Sequence, residues 1–412
     1  MSWSRRDVLK FGAGAALLRG LPTPHGTSDL PPIRRLTRGP THHWFGYYDK
    51  LQFDPAGDRV LGMAVDFEHR TPRADDVIRV GYVDLTDEAL PWIDVGTSRA
   101  WGWQQGCMLQ WRPGTASQVL WNDREDDAYV CRILDLADGQ TRTVDAPIYS
   151  VAPDGKTAVT VDFRRVQDMR PGYGYVGLPD PHADALAPEA AGIDAIDLET
   201  GRRRTIVDLR SIAAESGVED GAKHYFNHLL WNTDGTRFVF LHRWRPKGGG
   251  GFRTRMLTAD ADGENRRVLD ASGRTSHFIW RDPQHVLAWS VVDGVAGFWL
   301  FDDAGQDAPT QVGAGVMTQD GHCSYLPDRD WIVCDTYPDR ARRQHPYLFH
   351  VPSAERIDLA HLHLPAEYRG EWRCDTHPRI APDGRSLVVD SPHGGDGRQM
   401  WQIDLGAILD GR

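Results

Sequence analysis

Four histidines hold the same place in a repeated unit of this chain, and their chemistry sets the first expectations. Asn227-His228-Leu229-Leu230-Trp231 runs to Asp234-Gly235, and Ser276-His277-Phe278-Ile279-Trp280 runs to Asp282-Pro283. Gly321-His322-Cys323-Ser324-Tyr325 leads to Asp328, and Asp375-Thr376-His377 passes through Ile380 to Pro382-Asp383-Gly384. The histidine precedes the turn aspartate by six residues in three units and by five in the His277 unit. Neutral imidazoles that converge with a carboxylate bind a transition metal at about 2.0–2.2 Å. A single neutral imidazole accepts a proton near neutral pH. His322, His377 and Asp375 are the leading candidate ligands, followed by His228 and His242. His242 lies fourteen residues after His228, so a hairpin could set it beside His228 on the adjacent strand. Cys374 could join as a thiolate, but imidazoles and a carboxylate suit the site better. The plain alternative is a set of hydrogen-bonded channel histidines holding no ion.

Two basic stretches supply a second kind of chemistry. One holds Arg164-Arg165 and then Met169-Arg170-Pro171-Gly172-Tyr173-Gly174-Tyr175. The other holds Arg243, Arg245 and Lys247 before four glycines, with Arg253 and Arg255 beyond. Arginine binds carboxylate and sulfate bidentately, so Arg164, Arg170 and Arg243 in an acidic protein point to an anionic ligand such as a uronate or sulfated sugar. Solvated charges on loops are the competing explanation. Together these groups could carry out a β-elimination. A metal or arginine neutralises a uronate carboxylate, a His or Tyr base removes the C5 proton, and an acid assists departure of the C4 oxygen. Tyr173 and Tyr175, set between glycines, are candidates beside His277. Asp49 is a candidate rim carboxylate or a turn cap. No pair of glycosidase carboxylates stands out, and there is no nucleophile elbow, P-loop or dinucleotide fingerprint.

The elements that must position these groups are strands. An apolar strand, a Pro/Asp/Gly turn, a Val/Leu/Phe-rich strand, a third strand often ending in Asp-Leu and a polar fourth recur seven times, at about 45 to 55 residues. This spacing predicts an all-β protein, a seven-bladed β-propeller of four-stranded antiparallel blades, over residues 33–412. A β-sandwich pair fits the regular spacing less well. The first strand of each blade lines the central channel, so the four histidines should ring one mouth, at the start of the inner strands. The basic stretches leave the second strands of their blades as rim loops. The only helix expected is a short one near Ser211 to Ser216.

With 40% hydrophobic and 25% charged residues the chain is that of a globular protein, and its net charge of -11 argues against general nucleic-acid binding. Fifteen tryptophans suit sheet cores or sugar-binding surfaces. Five cysteines make no disulfide framework; buried free thiols are expected, with a Cys323–Cys334 bridge the alternative. Ser4-Arg5-Arg6-Asp7-Val8-Leu9-Lys10 and the apolar run to Leu18 match a twin-arginine export signal. The run is too short for a stable membrane anchor. Residues 1–32 are therefore set apart as a leader, and the protein is expected in the periplasm or outside the cell.

These residues resemble the β-propeller polysaccharide lyases, the oligogalacturonate lyases and the related ulvan lyases. Thr275-Ser276-His277-Phe278-Ile279-Trp280 is similar to the segment that supplies the base in oligogalacturonate lyases, and Asp320-Gly321-His322 to one giving a manganese ligand. In the last blade His377 matches a ligand, while Asp375 stands for a second His and Trp372 for a Gln. The ulvan lyases are similar through His42 to Asp49, Gln105 to Trp111 and Arg170 to Tyr175. Their implied site uses a tyrosine, which Tyr173 or Tyr175 can supply, with arginines and second-blade histidines. Gln105 and Asn122 stand where those histidines would be and are taken as substrate contacts. The resemblance implies an exported lyase that cleaves a uronate-containing polysaccharide or oligosaccharide by β-elimination, assisted by a divalent metal, manganese or zinc. His277 would be its base or acid. The rival from another class is a non-catalytic periplasmic scaffold resembling the propeller of the Tol system.

Overall fold

Outside blade two, which turns at Pro113-Gly114, the first hairpins of the expected units turn where an aspartate can hold its own backbone. The Asp154, Asp234 and Asp383 carboxylates each accept from the amide two residues on, at 2.9–3.0 Å. The glycine that follows takes a positive φ, 74° at Gly235, which glycine adopts without strain. The computed structural model describes residues 30–215, 218 and 221–411. In it these hairpins build seven four-stranded antiparallel sheets, the blades of a β-propeller.

The inner strands are His42–Trp44, Gln110–Trp111, Ser150–Val151, Lys223–Trp231, Phe278–Trp280, Ser324–Tyr325 and Arg379–Ile380, in blades one to seven. The second strands are the most apolar. Phe238, Val239, Phe240 and Leu241 are all buried, since each blade is covered on both faces by its neighbours. The outermost strand of blade seven comes from the start of the described chain. Ile33–Arg35 pairs antiparallel with Gln399–Asp404, Ile33 opposite Ile403, and so closes the ring.

Three tryptophans explain part of the high tryptophan content. Trp111, Trp231 and Trp280 end the inner strands of blades two, four and five. Each indole donates to a backbone carbonyl of the preceding blade: Gln52, Ser150 and Leu230, at 3.1–3.2 Å. They clip blade to blade rather than present a sugar-binding surface. The five cysteines are free and buried, Cys323 and Cys334 among them.

Helical structure exceeds the expectation. The short helix near Ser211 lies at Leu209–Ala213, but a second one, Phe163–Met169, opens the blade-three insertion. Asp162 caps it by accepting from the Arg164 amide, and Phe163, Val166 and Met169 form its buried stripe. Arg243 and Arg245 also belong to the strand Arg237–Arg245, so the blade-four rim loop begins only at Pro246. None of the described helices is long and apolar enough to cross a membrane. The expected leader lies outside the described residues except for its last three.

Candidate active site and metal centre

The histidines do not open regular strands; they sit where the ladder breaks. His228 falls in a bulge between Asn227 and Leu230 and has φ 52°. His377 has φ 42° and stands two residues before its strand, as His322 does. Freed from the pleat, the side chains turn to the axis. His322, Asp375 and His377 each offer a ligand atom, and these atoms all lie within 4.8 Å of one another. All three residues are buried, and His322 Nε2, His377 Nε2 and Asp375 Oδ1 have no hydrogen-bond partner among the described residues. Buried polar atoms left unpaired are unfavourable, and three of them facing one point suit a divalent ion.

What stands behind the cluster is as ordered as a metal site requires. The Asp335 carboxylate accepts from His322 Nδ1 at 2.9 Å, from the His322 amide at 2.7 Å, from the His377 amide at 3.1 Å and from the Thr376 hydroxyl. With Nδ1 donating, His322 keeps a lone pair on Nε2 for the ion. Burial works against a charged His322, but Asp335, and to a lesser degree Asp375 and Asp320, raise its pKa. Burial, then His322 and Arg379, hold His377 well below the usual imidazole value, so it is a neutral imidazole. The remaining Asp375 oxygen is held by Arg373 Nε at 2.7 Å.

Blade one fills the space between the histidines. After Trp44 its inner strand leaves the sheet and returns at Phe53, which bridges to Val60. Tyr47 lies over His228 and against the edge of His377, each 5.1 Å between centroids. The Tyr48 hydroxyl donates to the Phe278 carbonyl at 2.7 Å and accepts from its amide at 3.0 Å, which ties blade one to blade five across the channel. Gly46 makes the excursion possible. Its φ is 110°, and a Cβ there would lie 2.9 Å from the Gln105 carbonyl carbon. Gly46→Ala is expected to destabilise the fold by about 1–3 kcal/mol. Urea unfolding would show it, and loss of site function would accompany the displaced tyrosines.

His277 stands next to His322, 4.2 Å between ring centroids, with Nδ1 held by Asp320 Oδ1 at 2.9 Å. Burial lowers its pKa, and Asp320 only partly opposes this, so it is a neutral, oriented imidazole. His228 is neutral for a similar reason, burial first and then Arg243 and Arg170. Its Nδ1 faces Gln105 Nε2 at 3.3 Å, while the Gln105 carbonyl accepts from Tyr149.

The wall beyond His228 is cationic. The Tyr173 hydroxyl accepts from Arg373 Nη2 at 2.6 Å, and the Arg170 guanidinium lies over the Tyr173 ring at 3.8 Å. Burial pushes the Tyr173 phenol up, but Arg170 and Arg373 together bring it below the ordinary value. Arg243 follows on the neighbouring strand, paired in register with Tyr225. The Tyr225 hydroxyl, both side-chain polar atoms of Asn227, Nη1 of Arg170, and Nε and Nη1 of Arg243 are buried without partners.

Among the residues singled out in the sequence, the structure gathers His228, His277, His322, Asp375 and His377, with Tyr173, Arg170, Arg243 and Gln105 around them. Others go elsewhere. His242 turns to His224 rather than to His228, Nε2 to Nδ1 at 2.9 Å, because it shares its register with Phe226. Tyr175 is buried, stacked 4.2 Å from Phe163, and its hydroxyl accepts from Asn122 at 2.8 Å. Asn122 spends its other hydrogen bonds on the Ile148 backbone, so neither residue is open to a ligand. Arg164 folds back on Asp162. Asp49 pairs with Lys50 at 2.7 Å and lines a 410 Å³ cavity, together with Tyr48, Trp280 and Arg379, on the far side of Tyr48. Asp335, Arg373, Tyr47 and Tyr48 are site residues to which the sequence assigned no role, and Asp320 entered only as part of the segment Asp320-Gly321-His322.

Solved structures share this fold. An oligogalacturonate lyase in complex with manganese superposes with a TM-score of 0.67 at 14% identity, covering 92% of this chain and 94% of that one. The chain has the fold of the oligogalacturonate lyases. A second such lyase, from Vibrio parahaemolyticus, gives a TM-score of 0.65 at 13% identity with the same coverage. TolB from Acinetobacter baumannii gives 0.41 at 13% identity, covering 81% of this chain and 78% of that one. No family model matches the sequence, and no curated protein does.

Proposed function

We propose that the protein is a lyase that cleaves a uronate-containing oligosaccharide or polysaccharide by β-elimination, with a divalent metal at His322, Asp375 and His377. The observation that carries the reading is the convergence of three unpartnered ligand atoms beside a neutral histidine and a tyrosine flanked by arginines. The manganese named for the lyase of like fold supports the choice of a divalent ion. When bound, such an ion supplies Lewis-acid neutralisation of the substrate carboxylate, which acidifies the proton at C5.

The chain's own groups do the rest. His277, held by Asp320, accepts the C5 proton on Nε2. The C5–H electron pair becomes the C4=C5 double bond, and the bond from C4 to the glycosidic oxygen breaks. Tyr173 donates its proton to that departing oxygen, and the Arg373 contact stabilises the phenolate left behind. Arg170 and Arg243 hold acidic groups of the substrate, and Gln105 keeps His228 in place. The export signal read at Ser4 to Leu18 would put this reaction outside the cytoplasm.

Incubation of the full chain with manganese and a panel of uronate polymers tests the reading. Absorbance of the unsaturated uronide should rise in the ultraviolet. No rise with any of them, on protein shown to hold metal, would leave a binding scaffold instead. The pH profile follows from the two shifts. His277 must be neutral, so activity rises with pH through a limb below the ordinary imidazole value of 6.5. Tyr173 must be protonated, so activity falls through a limb below the ordinary phenol value of 10.0. The expected result is a bell in kcat/KM with both limbs displaced toward acid.

A further inference from the structure

Arg170 and Arg243 sit on one wall, and among the described residues no carboxylate pairs with either. Nη1 of both, and Nε of Arg243, are buried without partners. An unpaired buried donor is unfavourable by about 1–3 kcal/mol, so the two guanidiniums form a cradle for an anion. Phe252 covers this cradle, its ring centroid 4.9 Å from the Arg170 Cζ and 4.6 Å from the Arg243 Cζ. Phe252 as a whole is 38% exposed, so it is not a core residue.

Its attachment is unusual. Phe252 follows four glycines, Gly248 to Gly251, and a Cβ added at any of them would meet nothing within 4 Å. Close packing therefore does not account for the glycines. Freedom of rotation does, and Gly249 and Gly250 already use φ of 81° and 94°. The strand Arg253–Asp260 begins one residue later and anchors the far end. An aromatic ring on a loose tether, laid over unpaired cations, shields them from water while leaving them reachable.

We infer that Phe252 is a sugar-stacking lid, which moves aside to admit an acidic sugar to Arg170 and Arg243 and then lays its face on that sugar's ring. The class of ligand rests on the reading given above. Arginines alone would take an inorganic anion as readily as a sugar acid; the aromatic face adds selectivity for the apolar C–H surface of a pyranose ring.

Calorimetric titration of the full chain with a uronate trisaccharide and, separately, with inorganic sulfate tests this. Phe252→Ala should weaken the trisaccharide about tenfold and leave sulfate unchanged or tighter, and Phe252→Trp should restore the sugar. In the elimination assay the loss should fall on KM rather than kcat. Equal weakening of both ligands would make the ring merely structural and overturn the inference, as would sugar affinity within twofold of the wild type in Phe252→Ala. If the wild type binds the trisaccharide without eliminating it, the lyase reading fails, and the titrations alone decide for or against the lid. If the wild type does not bind the trisaccharide, the lid is overturned.

Discussion

Tyr173→Phe is expected to lower kcat for elimination by about 10²–10⁴-fold, the usual worth of a positioned general acid. The change keeps the ring that packs against Arg170 and His228 and removes only the hydroxyl that Arg373 contacts. Metal content and thermal stability should stay near those of the wild type, since no candidate ligand is touched. The decisive reading is the pH profile. With the phenol gone, the alkaline limb should disappear while the acid limb from His277 remains. A variant that kept both limbs would assign the proton donor elsewhere: Tyr48 and Tyr337 both lie 6.2 Å from the His277 ring, and the Tyr48 hydroxyl is already engaged by the Phe278 backbone.

The second large effect is expected at Asp335. Asp335→Asn should lower divalent-metal affinity by about 10–100-fold, as loss of an outer carboxylate behind a ligating histidine does. The amide has the shape of the carboxylate, but one of its ends is a donor facing donors from His322, Thr376 and His377. A stability loss of about 2–4 kcal/mol should accompany the change. Burial raises the Asp335 pKa, but the ion pair with His322 and the surrounding hydrogen bonds bring it below the ordinary aspartate value of 3.8. Its contribution to stability is thus present above that value and is lost as pH falls through the folded pKa. Metal titration and acid unfolding of the variant check both parts; the acid-side loss should be smaller in the variant.

The hairpin argument shows where sequence reasoning carried and where it stopped. Seven units were legible because Asp-Gly turns and apolar strands are local signals, and the four histidines were legible because they repeat in register with those turns. Counting fourteen residues across the hairpin from His228 pointed to His242, and Asp335 lies thirteen residues beyond His322 across the corresponding hairpin. The second pairing forms, in line with Ser324 opposite Val333. The first does not: fourteen residues overshoots the pairing of this hairpin by one, the bulge after Asn227 shifts the ladder by one more, and His242 stands opposite Phe226. A bulge of one residue has no clear mark in composition. Arg373 and Tyr47 escaped for another reason. Their partners, Tyr173 and His228, are far away in sequence, and only closure of the ring brings those segments together. The helix Phe163–Met169 did leave a signal, an aspartate followed by apolar residues three apart, but two turns are too few to stand out among strands.

Tyr47 and Tyr48 cross the propeller axis from blade one to the opposite blades, with cavities of 410 Å³ and 330 Å³ beyond them. The pore is therefore a blind well and not a tunnel. For the lyase activity proposed above, this means that a polymer cannot thread the ring, and that each severed fragment would back out through the opening by which the intact chain came in.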